Sequence, residues 1–224
     1  MDSFLFSHVY EERTSKYLSC FKQHVIKAQI IVDVGCGGGA FSNALAQMKR
    51  SVIALDIRKD WPRKIESSSL ERICADAHHL PLREGSVDCV LSLSLLEHLE
   101  NPLKCIEELY RVLRNGGTAI IQIPNLQYPF EPHTKWPLLY LLPKKFQSKI
   151  FEKVDYPYAI NMKVTLKYVL SILRRTRFKM KETIKIYHLN IMKLLPFAPA
   201  YIFIAEKVKP QLNDTGDIRN RITG

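Results

Sequence analysis

Ile30–Phe41 reads IIVDVGCGGGAF, and the rest of the chain is organised around it. Ile30, Ile31 and Val32, followed by Val34, form the β-branched apolar run of a buried strand. The run stops at a glycine cluster, after which Ala40–Met48 brings helix formers with apolar residues at helical spacing. The expectation is strand, tight turn, helix. Gly35, Gly37 and Gly39 give the turn access to positive φ without β-carbons, so a ligand can approach the main chain closely. Amides at the head of the following helix then face that ligand. Gly35, Gly37 and Ala40 have the G-x-G-x-x-A spacing of dinucleotide-binding turns. Asp33 tilts the balance away from a dinucleotide, because a carboxylate at the strand end would face a diphosphate but can accept hydrogen bonds from an ammonium group.

Outward from the turn, Ser51–Asp56 is a second strand ending in an acid, with Asp56 placed to take both ribose hydroxyls of a nucleoside and Ile57 beside it. Glu71–Asp76 is a third strand. The vicinal pair His78-His79 in the following loop has adjacent side chains that point apart and no further ligands at suitable spacing, so solvated histidines and no metal are expected. Val87–Leu93 is the fourth strand. Asn101-Pro102 starts a helix with the stripe Leu103, Ile106, Leu109, Tyr110 and Leu113, and Asn115-Gly116-Gly117 is expected to close it with a left-handed cap. Thr118–Pro124 is the fifth strand.

The D-x-G-C-G-x-G of Asp33–Gly39 resembles the first motif of the class I S-adenosylmethionine-dependent methyltransferases. The later order of an acid-bearing apolar strand, E-H-L at Glu97–Leu99, the N-P helix, and R-V-L-R-N-G-G before a strand resembles the group called type 11, over residues 28–124. That resemblance implies an α/β fold with a doubly wound, mostly parallel seven-stranded sheet of order 3-2-1-4-5-7-6 and an insertion after strand 5. It also implies S-adenosylmethionine rather than NAD as cofactor, held by Asp33, Gly35, Cys36, Gly37, Gly39, Asp56, Ile57, Asp76, Ala77 and Leu93. By the same resemblance Asp76 accepts from the adenine amine, the Ala77 amide donates to the ring, and Ser92 and Leu93 offer backbone groups to the methionine ammonium. Glu97-His98 in this family mostly orders the helix after the fourth strand.

With 224 residues and 46% apolar side chains, the chain is expected to form one domain over 1–208, with a cofactor core at 28–124, a substrate-side insert or lid at 125–163, and a disordered polar tail at 209–224. A leading amphipathic helix over 8–28, a helix over Val164–Arg174, a half-exposed strand over Lys179–Tyr187 and a partly buried last strand over Ala200–Val208 complete the expectation. The first residues lack a basic start and apolar core, and the longest apolar run, Leu194–Ala205, is too short to span a bilayer. Five cysteines without a C-x-x-C pair suit a reducing compartment, so a cytoplasmic protein without structural zinc is expected.

All of the net charge of +11 lies in residues 125–224, which hold 18 Lys and Arg against 7 Asp and Glu. Within the insert, Trp136–Leu142 lies beside Lys144, Lys145 and Lys149, the pattern of an interfacial helix. No D-P-P-Y or N-P-P-Y segment follows the fourth strand to hold a flipped base, which lowers the expectation of nucleic acid. The expected reaction is methyl transfer to a small-molecule acceptor, with an amphiphilic lipid or lipid-linked glycan the class that the insert suits and peripheral contact with an anionic membrane. RNA methylation and non-catalytic cofactor binding are the alternatives. Should the acceptor need a general base, His133 in the insert is the candidate, with Tyr128, Tyr156 and Tyr158 as others.

Overall fold

The computed structural model describes residues 3–58, 69–125, 128, 141–143, 145–146, 149–150, 164–187 and 198–209, with side chains from Thr14 onward. Helix α1 (Ser3–Val25) precedes β1 (Ile30–Val34), α2 (Ala40–Gln47), β2 (Ser51–Asp56), β3 (Leu70–Cys74) and β4 (Val87–Leu93). Then come α3 (Pro102–Val112), β5 (Leu113–Pro124), α4 (Leu166–Arg175), β6 (Phe178–Ile186) and β7 (Ala200–Lys207). The seven strands form one sheet in the order β3-β2-β1-β4-β5-β7-β6, as expected. The first five run parallel, and β7 runs antiparallel to both of its neighbours.

Both faces of the sheet are covered, which is why the central strands are apolar on both sides. On one face Val32, Val34, Leu55, Val90 and Phe203 pack beneath Ile106 and Leu109 of α3 and Val169 and Leu173 of α4. On the other, Ile31, Leu91, Ile120 and Ile202 pack against Phe21 and Val25 of α1 and Leu45 of α2. The Phe41 ring on α2 meets Tyr17 and Phe21 of α1 at centroid distances of 6.2 and 6.5 Å. The α3 start follows its sequence signal: Asn101 Oδ1 accepts from the Lys104 amide at 3.1 Å, with Pro102 at the first helical position.

Two expectations are corrected. Asn115-Gly116-Gly117 does not cap α3, which ends at Val112; these residues lie inside β5, in a bulge where the register against β4 shifts between Val87 and Cys89. A β-carbon on Gly117 would lie 3.0 Å from the Asp88 carbonyl oxygen, so close strand approach requires the glycine. The last strand is almost wholly buried rather than partly, because from its place between β5 and β6 its side chains enter the cores on both faces of the sheet, Tyr201 and Phe203 on one and Ile202 and Ile204 on the other. The expected short helix at Trp61-Pro62 lies outside the described residues, as does the expected disordered tail beyond residue 209. Among the described residues no helix is long and apolar enough to cross a membrane, and Cys20, Cys36, Cys74, Cys89 and Cys105 are all free thiols.

Asp88, in the same bulge, anchors the entry to β1. Its Oδ2 accepts from the amides of Gln29 at 2.9 Å and Ile30 at 2.8 Å, and its Oδ1 accepts from Arg114 Nε. Burial pushes this carboxyl up, but the two amides and the guanidinium outweigh it and hold it below the usual carboxylate range. Asp88→Ala should therefore cost about 1.5–3 kcal/mol in urea unfolding at pH 7. A depressed folded value means that this contribution is complete above the unfolded value, so the difference between wild type and variant should shrink as pH falls below about 4.

Candidate functional site

The crevice lies at the carboxyl ends of the parallel strands, where the chain order reverses between β1 and β4. After Val34 the turn is laced to the end of β2. The amides of Gly35 and Cys36 both donate to the Leu55 carbonyl, at 2.8 and 3.0 Å, and the Gly37 amide donates to Asp56 Oδ2 at 2.9 Å. Asp56 Oδ1 accepts from the Arg58 amide at 3.0 Å, so both carboxylate oxygens are held by main chain while each keeps acceptor capacity. Gly35 has φ of 72°, and a β-carbon there would lie 2.6 Å from Leu95 Cδ1, so any other residue would be strained and would have to displace the Leu95 side chain. In front of Gly37 and Gly38 a β-carbon would meet nothing within 4 Å, which leaves open space for a ligand against the main chain.

Asp33 is not presented to that space directly. It is 2% exposed, between β1 and α2, and its Oδ2 accepts from Ser42 Oγ at 2.5 Å. Burial pushes its carboxyl up to about 6; the Ser42 hydroxyl pulls it down, and the neighbouring Asp56 charge raises it further. Burial, followed by the charges of Asp33 and Asp56, pushes the Cys36 thiol up as well, which makes it a poor nucleophile.

On the β4 side of the crevice, Val34 and Ser92 form the last β1–β4 pair. Leu93 lies one residue beyond it and still pairs with Gln122 of β5 on its other side. Ser94 then takes φ of 52°, an unusual value for a residue with a side chain, fixed by its amide donating to the Gln122 carbonyl at 3.1 Å and its hydroxyl to Gln122 Oε1 at 2.6 Å. This kink sets Leu95 against Gly35. Glu97 and His98 belong to a single 3₁₀ turn, Leu96–His98, with Glu97 buried.

At the end of β2 Ile57 is 69% exposed, an apolar platform beside the Asp56 carboxylate. The Ala75 amide donates to the Asp56 carbonyl at 2.9 Å and so registers the loop after β3 on the same corner. In that loop Asp76 Oδ1 accepts from both the His78 amide at 2.8 Å and His78 Nδ1 at 2.7 Å, while Ala77 is buried. The His78 amide, with further help from its ring, outweighs burial and holds the Asp76 carboxyl below its usual range. The expectation of a solvated pair holds for His79, which is exposed, but is corrected for His78, which is tied to Asp76. Among the described residues no cluster of His, Cys, Asp or Glu could hold a metal.

His133, Tyr156 and Tyr158 lie outside the described residues. Tyr128 is buried, and that burial, then Tyr187, pushes its phenol up. Sequence reasoning missed Ser42, Gln122 and the His78–Asp76 bond. The first two are polar residues inside apolar elements, a pattern that marks them as odd without naming a partner. A separate cavity of about 890 Å³ lies by the amino ends of β4 and β5, lined by Tyr110, Arg111, Arg114 and Lys207 among others. Its arginines already serve the fold: Arg111 forks onto both oxygens of Glu108 at 2.7 and 2.8 Å, and Arg114 holds Asp88.

A family model described as a methyltransferase domain matches residues 32–121. A probable S-adenosylmethionine-dependent methyltransferase of Mycolicibacterium smegmatis is 32% identical over 124 residues, 51% of this chain and 45% of that protein. A ubiquinone biosynthesis O-methyltransferase of Xanthomonas campestris is 31% identical over 102 residues, 42% of this chain and 43% of its own. The chain thus spans less than half the length of these relatives. The fold is also that of Burkholderia thailandensis 1,6-didemethyltoxoflavin-N1-methyltransferase, solved with S-adenosylhomocysteine, at a TM-score of 0.59 and 13% identity over 92% of this chain and 82% of that one. Residues 32–121 thus match the methyltransferase-domain family, and they do so within a sheet whose strand order is that of the S-adenosylmethionine-dependent methyltransferases to which the chain is similar.

Proposed function

We propose that this domain transfers the methyl group of S-adenosylmethionine to a small-molecule acceptor of amphiphilic character. The observation that carries the cofactor half is the Asp56 carboxylate, fixed by the amides of Gly37 and Arg58 yet able to accept from two ribose hydroxyls. Ile57 would lie against the adenine, Asp76 and the Ala77 amide would bond its edge, and the turn from Gly35 to Gly39, including Cys36, would pass the methionine portion towards Leu93. Asp33, buried behind the turn, supplies negative charge for the ammonium. When bound, the cofactor supplies a methyl carbon on a sulfonium, already a good leaving group.

The chain's own work is then orientation and exclusion of water, which where geometry is ideal is worth about 7–11 kcal/mol. His133 is the proposed base for an acceptor that must lose a proton, since histidine titrates near neutrality. One relative is an O-methyltransferase, and an acceptor hydroxyl, like an acceptor ammonium, has a proton for such a base to take. For the acceptor, the support is the described part of the insert. Leu141 is 64% and Phe146 56% exposed, beside the exposed Lys145 and Lys149, which suits an amphiphile entering next to an anionic surface.

Calorimetric titration with S-adenosylhomocysteine and with NAD tests the cofactor half: the first should bind and the second should not, and the reverse would sink the proposal. Asp33 adds a pH signature. A carboxyl raised to about 6 in the free protein is mostly neutral at pH 5, and the ligand's ammonium favours its ionised form. Affinity should therefore rise about tenfold between pH 5 and pH 7 in wild type and stay nearly flat in Asp33→Asn. The same raised value disfavours the folded state above it, so Asp33→Asn should be the more stable protein at pH 8, with that advantage fading as pH falls through about 6 towards 4.

Flotation with vesicles containing anionic lipid tests the surface. Wild type should float and the triple change Leu141→Ser, Leu142→Ser, Phe146→Ser should not. A wild-type chain that ignores such vesicles but shifts bulk RNA with steep salt dependence would replace the amphiphile with RNA.

A further inference from the structure

We propose that His78 is a positioning residue for adenine recognition: its imidazole fixes the Asp76 carboxylate so that the free oxygen stays turned towards the purine's exocyclic amine. The inference rests on the reading of Asp76 as the adenine acid given above. Both contacts from His78 fall on the same atom, Asp76 Oδ1, at 2.8 Å from the amide and 2.7 Å from Nδ1. Oδ2 receives no hydrogen bond among the described residues, and the Asp76 side chain is 45% exposed. Two donors on one oxygen remove the rotation that would otherwise exchange the two oxygens of an aspartate in a loop.

The ring has no other hydrogen-bonding task. With an ionised Asp76 accepting, Nδ1 carries the hydrogen, and Nε2 is the ring's remaining polar atom. That Nε2 is shielded from solvent and has no partner among the described residues. A buried polar atom left unpaired costs stability, so this ring is poorly explained as a strut for the loop. The loop has its own main-chain closure in any case, the His79 amide donating to the Asp76 carbonyl at 2.9 Å, and Ala75 registers it on Asp56. Removing the imidazole therefore leaves the turn's backbone bonds available, the residue-78 amide on Oδ1 among them, and takes away one of the two donors that hold the carboxylate's orientation.

A nucleobase comparison reads that orientation. S-Inosylhomocysteine presents a carbonyl where S-adenosylhomocysteine presents an amine, and a carboxylate oxygen repels the first and accepts from the second. Titrated into the 224-residue chain, wild type should prefer the adenine form by at least about tenfold. His78→Ala should lose about fivefold in affinity for the adenine form and leave the inosine form nearly unchanged, cutting the preference to about twofold. His78→Asn, whose side-chain amide can still donate to Oδ1, should keep most of the preference, and thermal melts of both variants report the fold separately. A His78→Ala protein, or a His78→Asn protein with the donor shown lost, that retains the wild-type preference overturns the inference whatever its stability. Wild type that binds both forms equally overturns the reading of Asp76 itself. Wild type that binds neither overturns the cofactor proposal, so the three failures are distinguishable.

Discussion

The charged hydrogen bond from the Gly37 amide to Asp56 is the contact on which the crevice depends. A turn of four glycines in five positions has a large conformational entropy to lose, and packing alone offers it little, because nothing lies in front of Gly37 and Gly38. The Asp56 carboxylate supplies an anchor from the neighbouring strand, joined by the Leu55 carbonyl, which takes two further amides. The same carboxylate is the acceptor proposed for the ribose. One residue thus shapes the turn and offers the ligand its acceptor, so the cost of ordering the loop is met during folding instead of at binding.

Asp33 shows the opposite trade. Holding a carboxyl with Ser42 inside the α2 face of the sheet raises it to about 6, so at neutral pH the free protein bears the cost of an ionised group that prefers to be neutral. A positively charged ligand across the turn makes sense of it, and the strained backbone of Ser94, on the opposite wall, belongs to the same pattern of local cost at a binding site.

What the sequence made legible was local and repetitive. The β-branched runs, the glycine turn, and the Asn101-Pro102 start each act through neighbours a few residues away, and Asp56 closes β2 as its sequence pattern suggests. The misreadings share one cause, a partner distant in sequence. Asn115–Gly117 has the composition of a helix cap or a bulge, and only the approach of Asp88 from β4 decides between them. Ala200–Lys207 has the apolar run of a strand buried on both faces, and only its place between β5 and β6 shows why. His78 beside His79 suggested a solvated pair, because alternation says that neighbours diverge but not that the turn brings His78 back onto Asp76. The net charge, likewise, was assignable to the second half of the chain but not to a face. In the described residues Lys167, Arg174, Arg175, Arg177, Lys179, Lys181 and Lys185 are exposed along α4 and the edge strand β6, where lysines also discourage pairing with another sheet.

The central claim is that the cofactor turn is built before the cofactor arrives and that Asp56 builds it. Amide hydrogen exchange at Gly37 and Arg58 in the ligand-free protein measures this directly, because both amides donate to Asp56 while the surface in front of Gly37 is open. The account predicts exchange at both positions slower than in an unstructured peptide by about a hundredfold or more, and a return towards the peptide rate in Asp56→Ala with the amides of β1 still protected. Peptide-like exchange at Gly37 in the wild-type protein, slowed only when S-adenosylhomocysteine is added, would contradict it.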